Sequence, residues 1–329
     1  MRSYRHLTYE ERCQICVLLK RGISQTEIAR ELGVHRSTIS RELQRNSMKT
    51  GYYYHWAQAQ AEERQKKRDS RPRKMTKPLI AFVEDRIRED WSPQQISGWL
   101  KHRQEKLPAI SHERIYQYVW LDKFRKGTLH SHLRHRGRRY WRRGSCRQSR
   151  GRIPDRVDID QRPAVVEHKS RVGDWELDTI VGPNKQTGAL VSMVDRCSKL
   201  VRLALVDSCK AEGVAGAIES KLGEYRGKVL TLTMDNGKEF TRHKSFGEVL
   251  DAETYFAKPY HSWERGLNEH TNGLVRQYFP KQTDFARVSK QDVERAEERL
   301  NNRPRRVLGY RTPLEVFHGP PETLVALAS

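Results

Sequence analysis

Apolar residues near the start of the chain recur every three or four positions between short polar segments, which predicts a series of short helices. Thr8 with Glu11 forms a capping box before the first helix, and Ser24 with Glu27 forms another before the second. A glycine then allows a left-handed turn into a third helix. This layout predicts a helix-turn-helix domain over residues 1–50, with an ordinary three-helix bundle as the alternative.

In a helix-turn-helix domain the third helix enters the major groove of DNA. The candidates for DNA contact on this helix are His35, Arg36, Ser37, Ser40 and Arg41. Cys13 and Cys16 lie inside the first predicted helix. A zinc ribbon would need a second cysteine pair at comparable spacing, so we interpret these two as small helix residues rather than metal ligands.

A second group of helices is predicted over residues 78–122. The helix that begins after Ser92 has a capping residue, a proline at its first position and a reciprocal glutamine. This group resembles a helix-turn-helix unit more weakly, because its last helix offers few basic residues, and a purely structural bundle stays open as the alternative. Basic linkers are predicted at residues 51–77 and 123–160.

The pattern then changes from helical spacing to strands. The expected strands are 174–181, 189–194, 200–206, 229–234 and 253–257, with helices at 212–225 and 262–278. Three strands, a helix, a strand and further alternation are the order of an RNase H-like α/β domain with a mixed five-stranded sheet. We assign this domain to residues 161–329, including a C-terminal helical tail. The fold class is therefore multi-domain, with all-α helix-turn-helix units followed by an α/β domain.

Charge divides the chain in a similar way. Lys and Arg number 63 against 41 Asp and Glu, a net charge of +22, and +20 of this lies in the first 150 residues. So basic a half indicates a surface for a polyanion, most often nucleic acid. The polar start and the lack of about 18 consecutive apolar residues favour a cytoplasmic protein without membrane contact. Five scattered cysteines fit a reducing compartment.

Residues 123–152 contain twelve Lys or Arg residues and no acidic residue. Such a run repels itself until a polyanion orders it, so we expect it to follow DNA phosphates with strongly salt-dependent binding. The candidates for phosphate contact are Arg138, Arg139, Arg142 and Arg143. Metal binding by His130, His132 and His135 is the weaker alternative, because no Cys or carboxylate partner stands near them in the sequence.

Three carboxylates point to chemistry in the back half. Asp178 lies within the first strand, Asp235 ends the fourth, and Glu269 lies in the helix after the fifth, with 33 residues between Asp235 and Glu269. In an RNase H-like sheet the first and fourth strands are neighbours, so these groups can converge. Converging carboxylates repel each other unless cations neutralise them, and Mg²⁺ or Mn²⁺ is the natural partner. Two such ions about 3.5 to 4 Å apart support phosphoryl displacement.

Other acidic residues compete for these roles. Asp174 and Glu176 share a strand face with Asp178, Asp195 ends another strand, and Glu264 precedes Glu269 by five residues. Each of them could instead be a surface residue or an ion-pair partner. For Asp235, a polar turn without chemistry is the alternative.

The acidic blocks resemble those of the insertion-sequence-30 family of bacterial DDE transposases. The blocks that carry the resemblance are WELDTIVG at 175–182, MDNGKEF at 234–240, SWERGLNE at 262–269, LNNRP at 300–304 and TPLE at 312–315. The front helix-turn-helix pattern and the 33-residue gap also match that family, so the resemblance covers essentially the whole chain.

The resemblance implies an enzyme that binds the terminal inverted repeats of its own element, cuts there with divalent metal and joins the 3′-hydroxyls to DNA. Asp178 and Asp235 would be shared metal ligands and Glu269 a ligand of the second ion, with no nucleotide cofactor, since no P-loop is present. The residues that could position DNA ends are His261, Arg265, Asn268 and Arg276. Solvated helix positions are an equal alternative for these four.

Two other function classes stay open at this stage. One is a non-catalytic DNA-binding regulator derived from a transposase, and the other is a general structure-directed nuclease with the same core. Because two DNA ends must be cut and joined, we expect a homo-oligomer on double-stranded DNA.

Overall fold

The computed structural model describes residues 6–69, 75–103, 106–134, 153–183, 188–258, 261 and 266–320. The chain divides into two compact units, Met1–Lys74 and Met75–Ser329. None of the helices in these described ranges is long and apolar enough to cross a membrane.

The first unit contains the predicted three helices and more. Its elements are α1 (Tyr9–Lys20), α2 (Gln25–Glu31), α3 (Arg36–Asn46), a hairpin of β1 (Ser47–Met48) and β2 (Gly51–Tyr52), and α4 (Tyr54–Asp69). Both expected capping boxes are present, at Thr8 and Ser24. The expected linker at 51–77 is different in the structure, because α4 fills much of it and buries Ala57 in the same core as Ile15 and Ile39.

A buried carboxylate ties this unit together. Glu42 on α3 accepts hydrogen bonds from Arg12 Nε at 2.9 Å, Asn46 Nδ2 at 2.8 Å and the Tyr52 hydroxyl at 3.1 Å. Arg64 on α4 donates to Asn46 at 2.5 Å. A buried charge is tolerated only when it is paired and hydrogen-bonded, so these contacts explain why the hairpin and α4 belong to the helix-turn-helix unit.

The second unit begins with a three-helix group formed by α5 (Lys77–Arg88), α6 (Pro93–His102) and α7 (His112–Phe124). Leu79, Ile96 and Ile115 are completely buried in its core. A 3-10 turn at Leu129–His132 packs against it, so the early part of the expected linker at 123–160 is folded. Residues 135–152 of that linker lie outside the described residues.

This helical group is attached to the C-terminal part of the chain. Gly98 on α6 lies so close to Tyr310 that a β carbon there would come within 1.8 Å of the ring. Gln95 Nε2 donates to the Pro304 carbonyl at 2.9 Å. Asp90 accepts from Arg299 Nη1 at 2.5 Å and from the Tyr278 hydroxyl at 3.1 Å. The middle helix of the group therefore packs against the C-terminal part of the chain.

The larger sheet has the predicted five strands in the order β5-β4-β3-β6-β7. The strands are β3 (Asp174–Val181), β4 (Ala189–Asp195), β5 (Val201–Val206), β6 (Thr231–Met234) and β7 (Glu253–Phe256). The first three are antiparallel, and β6 and β7 run parallel to β3. This mixed sheet, together with its flanking helices, confirms the expected RNase H-like α/β class.

Helices cover both faces of the sheet. The remaining helices are α8 (Val165–His168), α9 (Ala211–Gly223), α10 (His243–Leu250), α11 (Gly266–Val275), α12 (Lys290–Asn301) and α13 (Pro313–His318). The core with α9 and α10 contains Trp175 and Leu177, and the core with α11 and α12 contains Ile180. Side chains alternate along a strand, so even-numbered residues of β3 face α11.

Candidate active site

Asp178 lies on β3, the central strand of the sheet, and Asp235 directly follows its parallel neighbour β6. β6 pairs with β3 in the register Asp174 with Thr231 and Glu176 with Thr233. Two residues further, the same register brings Asp178 level with Asp235, where β6 has ended. Neighbouring strands lie about 4.8 Å apart, so this register puts the two backbone positions side by side where β6 ends.

The loop after Asp235 is fixed by hydrogen bonds of its own block. The Gly237 N–H donates to Asp235 Oδ1 at 2.9 Å, and Asn236 Nδ2 donates to the Ala257 carbonyl at 2.7 Å. Glu239 accepts from the Thr179 hydroxyl at 2.7 Å. Because Thr179 follows Asp178, this bond joins the two acidic blocks directly.

α11 lies over β3 and presents three positions along it. Asn268 donates to the Leu177 carbonyl at 3.2 Å, Asn272 Nδ2 donates to Asp178 Oδ2 at 2.6 Å, and Arg276 Nη2 donates to the Val181 carbonyl at 2.7 Å. At 100° per residue, Glu269 falls on the same flank as Asn272 and Arg276. Glu269 is exposed there, one turn before the residue that holds Asp178.

Asn268 differs from its sequence-based assignment. It is 1% exposed, and its backbone N–H and side chain both bond to β3, so it anchors the helix and cannot contact DNA. Arg276 is half-buried and donates to backbone carbonyls of Val181 and Pro280, which fixes the end of β3. His261 is half-buried, and Arg265 lies outside the described residues.

The competing acidic residues on these strands have structural partners. Glu176 pairs with Arg196 at 2.6 Å, with both side chains buried, and accepts the Asn268 N–H at the start of α11. Asp174 accepts two bonds from Arg171, each 3.0 Å. Burial raises the pKa of Asp195, which accepts from Ser198 and from the Gly173 N–H. Glu264 lies outside the described residues.

The donor chemistry of the paired aspartates fits a hard divalent cation. Two carboxylates side by side repel each other, and oxygen ligands are those that Mg²⁺ and Mn²⁺ prefer. Within the described ranges, no three His, Cys, Asp or Glu side chains are grouped closely enough to hold one ion together. Glu269 is therefore not assembled with Asp178 and Asp235 into a three-ligand cluster.

The same holds for the His and Cys alternatives. Cys16 is buried and donates to the Tyr52 carbonyl at 3.3 Å, which agrees with a structural helix position. His132 Nδ1 lies 3.1 Å from Asp90 Oδ1 and helps attach the 3-10 turn. His135 lies outside the described residues.

On α3, the positions proposed for DNA contact lie on an accessible surface. Arg36, Ser40 and Arg41 are exposed. His35 is the N-cap of α3, and its Nδ1 accepts from the Ser37 N–H at 3.2 Å. The basic positions Arg138, Arg139, Arg142 and Arg143 lie outside the described residues.

Several residues of these surfaces were not selected from the sequence. Gln44 is exposed one turn beyond Ser40 and Arg41, a position that helical spacing could have indicated. Asn272 and Glu239 also escaped selection. Asn272 follows Glu269 at a spacing of three residues, so helix geometry would have placed them on one face; the partner of Glu239 depends on strand pairing.

Comparisons with known proteins agree over nearly the whole chain. A family model described as a helix-turn-helix domain matches residues 3–46. The transposase of insertion sequence element IS4351 from Bacteroides fragilis is 42% identical over 314 residues, covering 95% of each chain. The transposase of IS30A from Escherichia coli (strain K12) is 34% identical, covering 96% of this chain and 84% of its own length.

Among solved structures, the catalytic core domain of BIV integrase is 23% identical and aligns with a TM-score of 0.35, covering 44% of this chain and 91% of that one. The extent and identity of the full-length matches, together with the order of the acidic blocks along the chain, decide the family. This chain belongs to the insertion-sequence-30 family of transposases.

Proposed function

We propose that this protein binds the terminal inverted repeats of its own insertion element, cuts the DNA there and joins the resulting 3′-hydroxyls to target DNA. The observation that carries the proposal is the pairing of β3 with β6, whose register extends to Asp178 and Asp235, next to the helix that bears Glu269, in a chain related to a transposase over 95% of its length. All three acidic residues of the family blocks are present in the sequence, which favours a catalytic transposase over a non-catalytic regulator.

Asp178 and Asp235 would hold divalent cations, with Glu269 as the further ligand, and two ions per site would more than neutralise the charge of three carboxylates. When bound, Mg²⁺ or Mn²⁺ would activate the attacking oxygen and stabilise the leaving oxygen of a phosphodiester. The exchange of one phosphodiester for another needs neither a nucleotide cofactor nor a covalent protein nucleophile.

The chain's own groups orient these carboxylates. Asn272 holds one oxygen of Asp178, and the Gly237 N–H holds one oxygen of Asp235. The Thr179–Glu239 bond keeps the two acidic blocks in register. Pre-organised ligands of this kind lose less freedom when metal and DNA bind, which favours rate.

We assign sequence reading to α3 and phosphate tracking to the basic segment. Arg36, Ser40 and Arg41 are exposed on one helix, as base and phosphate contacts in the major groove require. Arg138, Arg139, Arg142 and Arg143 would supply sequence-independent affinity through phosphates.

The active assembly is proposed to be a homo-oligomer, because each paired-end complex contains two ends to be cut and joined. Mass measurement of the complex on paired end fragments tests this. A complex with one protomer for each pair of ends would contradict it.

A footprint on DNA flanking the gene, followed by cleavage mapping on the same fragment with Mg²⁺, tests the function. Cleavage at the footprinted ends supports the transposase. Footprinting without any cleavage would indicate a regulator, and cleavage without preference for the ends would indicate a general nuclease.

A further inference from the structure

A cavity of about 830 Å³ lies in the second unit beside α11, and the function proposed above makes no use of it. Its wall on α11 consists of Leu267, His270, Thr271 and Leu274, with Gly266 at the start of the helix. The opposite wall comes from the segment after α8, the turn between β4 and β5, and the chain after α12.

The cavity and the acidic site lie on opposite flanks of α11. At 100° per residue, Leu267, Thr271 and Leu274 point about 140 to 160° away from Glu269, whereas Asn272 and Arg276 point within about 60° of it. Glu176, which also lines the cavity, lies two residues before Asp178 on the same face of β3, so the cavity and the acidic site are neighbours on the two flanks of α11.

Positive side chains dominate the polar lining. Lys169, Lys199, Arg196 and Arg305 line the cavity together with two carboxylates, Glu167 and Glu176. Both carboxylates are bound by Arg196, at 3.1 and 2.6 Å. The cavity therefore has more positive than negative side chains in its lining. Within the described part of the chain, no carboxylate lies within ion-pair distance of Lys169, Lys199 or Arg305.

Arg305 supplies the most specific observation. Its Nε is buried and has no hydrogen-bond partner in the structure, while its Nη2 donates to the Leu300 carbonyl at 3.0 Å. An unpartnered buried N–H of a charged group is costly, and Arg305 lines the cavity, so an anion bound beside it would stabilise the buried guanidinium. Burial lowers the pKa of Arg305 to about 10.

Lys199 resembles Arg305 in that its burial disfavours the charged form. Its ammonium donates to the Arg196 carbonyl, and burial, followed by the charge of Lys169, lowers its pKa. A bound anion would oppose both effects, since a nearby negative charge favours the protonated amine.

The rest of the lining is apolar, with Leu267, Leu274, Val307 and Leu308 as its largest contributors. The volume lies within the range of about 300 to 1,000 Å³ typical of ligand pockets and exceeds what one inorganic anion would fill. A ligand that fits both linings carries phosphates joined by less polar groups, as sugar–phosphate strands do.

We infer that this cavity binds the sugar–phosphate backbone of a DNA strand, with phosphates at Lys169, Lys199 and Arg305 and sugars against the apolar wall. The inference rests on the proposed function for the choice of DNA as the source of the phosphates. The strand held here lies on the flank of α11 that faces away from Glu269, so it is a second DNA contact beside the one being cut.

The test uses the full chain carrying Asp235→Asn, so that DNA remains intact, and an end-containing duplex as the probe. Affinity is measured over a series of salt concentrations for Lys169→Gln, whose side chain is exposed and unpaired with acid. The expected result is a slope of log K against log salt that is smaller by about 0.9 for each phosphate that the protein no longer neutralises. Adding Arg305→Gln should reduce the slope again.

Lys290→Gln is the matched control, because Lys290 is exposed at the start of α12 and does not line the cavity. An unchanged slope in Lys169→Gln, or the same change in Lys290→Gln, would overturn the inference. Ethylation of DNA phosphates adds a second readout: one interference position should disappear in Lys169→Gln, and identical patterns would contradict the assignment.

A free nucleotide also carries a phosphate and could occupy the same cavity. A further experiment distinguishes it from a DNA strand. If a deoxynucleoside monophosphate raises the melting temperature of the unsubstituted chain and not of Arg305→Gln, while the salt slopes stay equal, the cavity takes a free nucleotide and the DNA assignment is wrong. Binding is measured without cleavage, so residual cutting by Asp235→Asn would refute the catalytic proposal and leave the cavity test intact.

Discussion

Replacing Asn272 by alanine removes the amide that holds the first aspartate. The Asn272 Nδ2 to Asp178 Oδ2 distance is 2.6 Å, the length of a strong hydrogen bond to a charged acceptor. Such bonds contribute about 1.5 to 3 kcal/mol, and each 1.4 kcal/mol is about a factor of ten in rate. If this free energy serves to orient the carboxylate in the reacting complex, cleavage should slow by about 10- to 100-fold.

Single-turnover cleavage of an end-containing duplex, measured over a range of Mg²⁺ concentrations, provides the assay. We expect a lower maximal rate and a higher Mg²⁺ concentration at half-maximal rate, because the misoriented carboxylate is a poorer ligand. DNA affinity without divalent metal should not change. Folding stability should also fall, because the gain in helix propensity, at most about 0.7 kcal/mol, is smaller than the loss of the bonds to Asp178 and Ser192.

Asn302→Ala is the matched control, since its amide is exposed and donates at 3.0 Å to the Glu298 carbonyl of α12, outside the acidic site. It should retain the full rate and Mg²⁺ dependence. A rate for Asn272→Ala within about twofold of the unsubstituted chain, which is less than about 0.5 kcal/mol, would refute the positioning role. A slower rate with an unchanged Mg²⁺ dependence would refute the link to metal binding.

Three further outcomes are expected. Asp235→Asn preserves shape and should retain end binding in gel shifts while losing cleavage and joining; retained strand transfer would exclude a ligand role. Removing residues 1–74, the whole first unit, should abolish the end-specific footprint and reduce Mn²⁺-dependent cleavage of nonspecific DNA to a smaller extent. An unchanged footprint would assign specificity to the second unit. Gly98→Ala should lower the free energy of unfolding in urea by about 1 to 3 kcal/mol through overpacking against Tyr310, and Tyr310→Ala should restore part of it.

The elements that follow from local chemistry were predictable. The capping boxes at Thr8, Ser24 and Ser92 are each formed by residues three apart, so their sequence pattern specifies the start of the helix. The five strands of the sheet agree with expectation to within a few residues, because buried strands are continuous apolar runs. The acidic candidates followed from their positions along these elements, and the family resemblance agreed with them.

The misassigned segments depend on contacts between distant residues. α4 is rich in Lys, Arg and Gln and has no clear apolar stripe, so its sequence indicates a linker; burial of Ala57 and the Arg64–Asn46 bond make it part of the first unit. The sequence likewise suggests that Asn268 is an exposed helix residue, but in the structure its side chain donates to the Leu177 carbonyl of β3.

What the sequence by itself determined is where most helices and strands begin, that the front half is basic, and which family the acidic blocks resemble. Only the tertiary structure decided that Asp178 and Asp235 are level across a parallel strand pair, that Asn272 holds Asp178, and that Arg305 and Lys199 enclose a basic cavity behind α11. The physical reason is range: caps and periodicity act over a few residues, whereas strand register and buried charge bring together groups that are far apart in the chain.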